Sequence, residues 1–204
     1  MTVYLVRHAE TEWNLIGRRQ GHADSPLTEI GRGQAERIGE ILVREREQGG
    51  LPPAPAIYCS PLGRARATAG IACRALQIDS SSLLLDPLLI ECDHGDWTGL
   101  TNAEIEARDP ESLRARTADK WNTPIPGGES YAGMQGRARD WLARVCGAED
   151  ETVVAVTHEM IGRALRGVFL GLEPAEVLRL THKHGTVICL RDAGGARSSV
   201  ELAA

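Results

Sequence analysis

Short β-branched or apolar runs alternate with segments of helical period along almost the whole chain, and this alternation constrains the fold most strongly. Val3 to Val6, Ala56 to Cys59, Leu83 to Leu85 and Thr152 to Thr157 read as strands, and Val187 to Leu190 and Ser199 to Leu202 can close the series. Thr28 to about Glu47 reads as a helix with Ile30, Ile38, Ile41 and Leu42 on one face. Thr28 is its expected N-cap, and Gly49-Gly50 before Pro52-Pro53 ends it. Ser60-Pro61 reads as an N-cap followed by proline at the first helical position, with Ala65, Ala69, Ala72 and Leu76 at helical spacing behind it. Met134, Ala138, Trp141 and Val145 mark a further helix, and Ile161, Leu165, Val168 and Leu172 mark the one after the Thr152 strand.

Residues 86–128 are less regular, with short helical stretches around 101–118 and a turn region at Pro124, Pro126, Gly127 and Gly128. No repeat or low-complexity linker interrupts the pattern. The expectation is an α/β fold: a three-layer sandwich with a mostly parallel central sheet flanked by helices. Residues 1–204 form one catalytic domain on this reading, and about 86–130 form an irregular cover over the site.

With 42% hydrophobic residues in 204, such a chain can bury a substantial core. Its net charge of −5 argues against a nucleic-acid or anionic-membrane partner, so any cluster of arginines is local. No stretch approaches the roughly 18 apolar residues of a membrane span, and the first residues lack the basic start of a secretory signal. Cys59, Cys73, Cys92, Cys146 and Cys189 are odd in number and widely spaced, without a Cys-x-x-Cys pair. They read as small buried or half-buried residues of a reducing, cytoplasmic protein rather than as a disulfide framework or zinc site.

In a parallel sheet ligands bind beyond the carboxyl ends of the strands. Arg7-His8 follows the first strand, Arg64 falls in the first turn after the second, and His158 follows Thr157. Each alone is ordinary: a polar loop histidine, or a solvated surface arginine. Together they supply what a phosphate dianion needs, namely converging donors with fixed positive charge and a helix N-terminus.

Arg7-His8-Ala9-Glu10-Thr11-Glu12-Trp13-Asn14 resembles the signature that opens the histidine phosphatases, the phosphoglycerate-mutase-like family. The resemblance continues through Gly17 to Ala35, Ser60 to Ala69, Glu91 to Leu100, Pro126 to Ser130 and Val156-Thr157-His158, in family order. It implies a phosphomonoester hydrolase of small phosphorylated metabolites that needs no metal or other cofactor. His8 would be the nucleophile, forming a phosphohistidine, with a backbone carbonyl or similar acceptor holding its other ring N–H. Arg7, Arg64 and His158 would surround the phosphoryl group, His158 serving best when protonated, and Glu91 would be the general acid/base. Asn14 would help hold the phosphate, and Gln20 and Gly21 would line the substrate entrance; Asn14 as a simple cap residue is the alternative.

The resemblance also admits a cofactor-dependent phosphoglycerate mutase using the same phosphohistidine, and a catalytically silent phosphate-binding protein. The shorter middle region and the Gly95-Asp96-Trp97-Thr98-Gly99-Leu100 block favour the hydrolase. A homodimer is an expectation from relatives. Glu159 departs from the frequent glycine after the second histidine, and is expected to point away from the pocket. Ala9, where glycine is frequent, is a familiar small variant. His182 and His184 read as exposed loop histidines rather than a metal pair, and Trp97 and Trp121 either line the pocket or pack its cover. Arg18, Arg19, His22, His94 and Arg163 either form an outer shell reading a second anion or face solvent.

Overall fold

The alternation becomes a six-stranded sheet in a computed structural model that describes residues 1–146 and 152–202. The chain begins with β1 (Thr2–Arg7), passes a single turn of helix, α1 (Glu12–Leu15), and enters the long α2 (Glu29–Glu47). β2 (Ala56–Cys59) and α3 (Gly63–Leu76) lead to the two-residue β3 (Leu84–Leu85). Short 3-10 turns then precede α4 (Asn102–Arg108), α5 (Pro110–Ala118) and α6 (Tyr131–Cys146). β4 (Thr152–Thr157), α7 (Glu159–Leu170) and α8 (Pro174–Arg179) follow, and β5 (Val187–Ala193) and β6 (Ala196–Leu202) close the chain.

Strand order is β3-β2-β4-β1-β5-β6. β1, β2, β3 and β4 run parallel, with Val3 opposite Val153 and Cys59 opposite Val156, whereas β5 runs antiparallel to both β1 and β6. Side chains alternate across a strand, so β1 feeds two cores. Val3 and Leu5 join Val153, Ala155, Trp141 and Leu165 under α6 and α7; Tyr4 and Val6 join Val154, Val156, Ile38 and Leu76 under α2 and α3. These are the expected three layers. The irregular stretch contributes Leu89, Cys92, Trp97, Ile105 and Ile125 to the first core. Trp141, fully buried and edge-on to Tyr58 at 5.8 Å, anchors that core; truncating such a side chain costs about 3–5 kcal/mol.

Thr28 caps α2 as expected, its Oγ1 accepting the Gly31 N–H at 2.8 Å. Ile30 does not join the apolar face and is 66% exposed. The buried stripe runs through Gly31, Ala35, Ile38 and Leu42, and a residue one step before Gly31 lies about 100° round the helix from it. Gly31 must be glycine, because a Cβ there would sit 2.0 Å from the Glu10 carbonyl oxygen.

Helix α3 starts later than expected, at Gly63 with Leu62 in the N-cap position. Ser60 stands two residues before the N-cap, where its hydroxyl accepts from Leu62 N at 3.4 Å and shares a 2.7 Å hydrogen bond with His158. The cap comes from a distant loop instead, where the Asp24 carboxylate accepts from Gly63 N at 2.6 Å and Arg64 N at 3.2 Å. α7 stops before Leu172, since Gly171 takes a left-handed conformation (φ 70°). β5 and β6 run further than expected because Gly194 and Gly195, at φ 65° and 93°, form the tight turn between them.

Cys59, Cys73, Cys92 and Cys189 are buried thiols, while Cys146 is exposed. Among the described residues no helix is long and apolar enough to cross a membrane.

Candidate active site

The parallel strands β1, β2 and β4 end side by side, and a cavity of about 330 Å³ opens beyond them. Arg7, His8, Asn14, Gln20, Gly21, Arg64 and Glu91 all line it. His158 lies just behind, fully buried, with its ring centroid 5.1 Å from that of His8. All eight residues singled out in the sequence therefore gather in one place.

His8 continues the sheet ladder by one residue, its N–H donating to the Thr157 carbonyl at 2.8 Å. Its Nδ1 meets the Ala9 carbonyl oxygen at 2.8 Å. A carbonyl can only accept, so Nδ1 carries the proton and Nε2 is the basic nitrogen. Burial, then Arg64 and Arg7, hold the His8 pKa well below its ordinary 6.5. A ring with these neighbours is neutral, and its free lone pair is on Nε2.

Arg64 is 2% exposed. Nη1 donates to the Ala23 carbonyl at 2.6 Å and to Asp24 at 2.9 Å, and Nη2 donates to the Gly21 carbonyl at 2.8 Å. Gly21 has φ +52°, and a Cβ there would press to 2.8 Å from the His94 nitrogen. Arg7 Nη1 donates to the His182 carbonyl at 2.8 Å and pairs with Glu159 at 2.9 Å. Both arginines retain a buried Nε with no hydrogen-bond partner, as does His158 at Nδ1.

His158 shares a 2.7 Å hydrogen bond through Nε2 with Ser60 Oγ. Burial, followed by Arg64 and His8, pushes its pKa well below 6.5. A ring in these surroundings is neutral, so the protonated form expected of His158 requires an anion beside it.

Glu91 reaches the N-terminus of α7. Its Oε1 accepts from Cys92 N at 2.8 Å and Ile161 N at 3.2 Å, and its Oε2 accepts from Met160 N at 3.2 Å. The carboxylate therefore caps α7 while lining the cavity. Asn14 likewise serves twice: its Oδ1 accepts the Thr11 N–H at 3.1 Å in a capping box, and the residue also lines the cavity. Gln20 is held through a 2.8 Å bond from Nε2 to Thr11 Oγ1.

Several placements differ from expectation. Glu159 faces the pocket, bridging Arg7 and Arg163, because two guanidinium groups draw its carboxylate inward. His182 and His184 are not exposed loop histidines. His182 is 2% exposed, and His184 Nδ1 meets the His8 carbonyl at 2.7 Å with its ring 5.4 Å from His8. The loop before β5 thus clamps both residues of the Arg7-His8 pair, and its spacing alone gave no hint of this. Trp97 packs into the core rather than lining the cavity, buried with its Nε1 donating to Asp109 at 3.3 Å, and Trp121 stacks on Tyr131. Arg18, Arg19 and His94 line the cavity, whereas His22 bonds the Glu91 carbonyl at 3.0 Å and Arg163 bonds Tyr131. Ser60 and Asp24, which orient His158 and Arg64, were visible only as motif neighbours. Among the described residues no group of three or more His, Cys, Asp or Glu side chains is arranged to hold a metal ion.

Such an arrangement can bind a phosphate dianion and present a neutral imidazole nitrogen to it. Residues 3–204 match the family model described as histidine phosphatase superfamily (branch 1). Phosphoserine phosphatase 1 of Hydrogenobacter thermophilus is 35% identical over 83% of this chain and 76% of its own length. The metal-independent phosphoserine phosphatase of Arabidopsis thaliana is 33% identical over 93% and 76%. The crystal structure of the α-ribazole phosphatase from Shigella flexneri superposes over 100% of this chain and 96% of that one, with a TM-score of 0.86. At 23% identity it speaks for the fold alone. The chain belongs to the histidine phosphatase superfamily, branch 1, and is a phosphatase of that family.

Proposed function

We propose that this phosphatase hydrolyses small phosphomonoesters through a phosphohistidine on Nε2 of His8, with Glu91 as general acid and base. One observation carries the reading: the Ala9 carbonyl fixes the proton on Nδ1, and burial beside Arg64 and Arg7 keeps the ring neutral. The Nε2 lone pair attacks phosphorus, and the bond to the alcohol oxygen breaks as that oxygen takes a proton from Glu91. Water then attacks phosphorus, Glu91 accepts its proton, and the phosphorus–nitrogen bond breaks. Oε1 of Glu91 has two N–H donors and Oε2 one, so Oε2 keeps a lone pair for the travelling proton.

Arg7, Arg64 and His158 stabilise the equatorial oxygens. An arriving dianion favours the protonated form of His158. Asn14 helps hold the phosphate, and Gln20 and Gly21 line the entrance. No step calls for a metal, and the name of the Arabidopsis relative supports that reading. The cavity volume supports a metabolite-sized substrate.

The test is phosphate release from 3-phosphoglycerate, phosphoserine and nitrophenyl phosphate with chelator present, comparing wild type with His8→Ala. His8-dependent release is expected, with isomerisation of 3-phosphoglycerate absent. Release by His8→Ala, or activity that vanishes with chelator and returns with a divalent metal, would overturn the mechanism. Isomerisation without release would make the protein a mutase, and phosphate binding with neither reaction would make it a silent scaffold.

A further inference from the structure

The cavity has a second cationic element that the phosphoryl chemistry does not use. Arg7, Arg18, Arg19 and Arg64 all line it. Arg7 pairs with Glu159 at 2.9 Å, Arg18 with Glu104 at 3.3 Å and Arg64 with Asp24 at 2.9 Å. Arg19 alone has no carboxylate partner among the described residues. Its guanidinium donates through Nε (3.3 Å) and Nη2 (2.9 Å) to one neutral acceptor, the Asn102 Oδ1, which leaves Nη1 without a partner.

The group is nevertheless held in place. Its guanidinium lies 5.2 Å from the centroid of the Trp97 ring. Its backbone is tied on both sides, donating to the Leu100 carbonyl at 2.9 Å and accepting from Gly99 N at 2.8 Å. A fixed guanidinium loses little freedom when it binds, and its planar fork matches an oxyanion. Burial works against its charge, and neighbouring Arg116 works in the same direction. A partly buried cation without a counter-ion, on the wall of a phosphate cavity, lacks an anion.

We propose that Arg19, with Asn102 beside it, forms a second anion subsite, so that the preferred substrate is a phosphomonoester whose alcohol portion carries a further carboxylate or phosphate. The proposal rests on hydrolysis at His8. The cavity volume restricts that second anion to the same small molecule.

Three substrates of equal chain length test it: 3-phosphooxypropanoate, propane-1,3-diyl bisphosphate and 3-hydroxypropyl phosphate. Wild type is expected to favour a charged tail over the hydroxyl tail by about tenfold to a hundredfold in kcat/KM, the worth of a hydrogen bond to a charged group. The tail it favours identifies the anion as carboxylate or phosphate. Arg19→Met is expected to bring the ratio close to unity, and Arg19→Lys to restore part of it. Because the readout is a ratio within one protein, a reduced folded fraction cancels. No preference in wild type, or a preference that survives in Arg19→Met, overturns the subsite. An Arg19 that merely pins the cover would slow all three substrates alike, which also overturns it. Nitrophenyl phosphate separates this failure from a deeper one: if wild type cannot hydrolyse it either, the hydrolase reading itself falls.

Discussion

The two walls of the cavity are built differently. At the strand ends, His8, Arg64, Arg7 and Glu91 are held largely by main-chain groups: the Ala9, Gly21, Ala23 and His182 carbonyls and the Met160 and Ile161 N–H groups. On the loop-borne wall, Arg18 and Arg19 hang between segments 17–21 and 99–104, and their guanidinium groups rest on Gly99, Glu104 and Asn102. The first wall inherits its geometry from the sheet, so its side chains are specified by position along the strands. The second depends on which side chains happen to meet. Chemistry common to a family can therefore sit on the first wall while selectivity varies on the second.

That contrast can be broken most directly at Arg64. Arg64→Met is expected to lower kcat/KM by about a thousandfold, the scale of lost charge stabilisation in phosphoryl transfer. A loss below tenfold would mean that the strand-end wall is no more demanding than the loops. Glu91→Gln comes next. Turnover of alkyl phosphates should fall about a hundredfold, and turnover of nitrophenyl phosphate much less, because its leaving group needs little protonation. Equal slowing would leave Glu91 only its capping of α7. His184→Gln should cost about tenfold in kcat with little change in KM, since the side chain sets the placement of His8 rather than touching substrate. A change confined to melting temperature would count against that role.

A separate effect is on stability. His94 and His182 are pushed down to about 3 and His184 to about 4 by burial, and His8 and His158 also lie well below 6.5. The unfolded chain protonates these groups near 6.5, while the folded chain does so only at lower pH. Stability is therefore full above about pH 6.5 and declines as pH falls toward 4. Thermal melts across that window should show the decline, and His182→Gln should flatten it. A flat profile in wild type would mean that the histidines are better solvated than the geometry implies.

Much of this was legible in the sequence. β2 and β4 lie where their apolar runs stand, and Arg7, His8, Arg64 and His158 converge because strand ends converge, with Asn14, Gln20, Gly21 and Glu91 reaching the same cavity from connecting segments. What escaped depended on contacts between distant segments. Nothing near Ser60 indicates that its hydroxyl serves His158 or that Asp24 caps α3. Nothing near Glu159 announces Arg7 and Arg163 as partners. His182 and His184 look like surface residues because the loop around them is polar, and only the fold brings that loop over β1. The hairpin between β5 and β6 had its signal in Gly194-Gly195, but the flanking strand ends are exposed and lack apolar alternation.

β1 lies between β4 and β5, with Val3 to Val6 wholly shielded from solvent. The His8 amide closes the same ladder through Thr157. Main-chain amides in such a position exchange with water only when the sheet itself opens. The proposed nucleophile thus belongs to the last unit of the molecule to come apart. Loss of catalytic competence and opening of the sheet thereby become one observable.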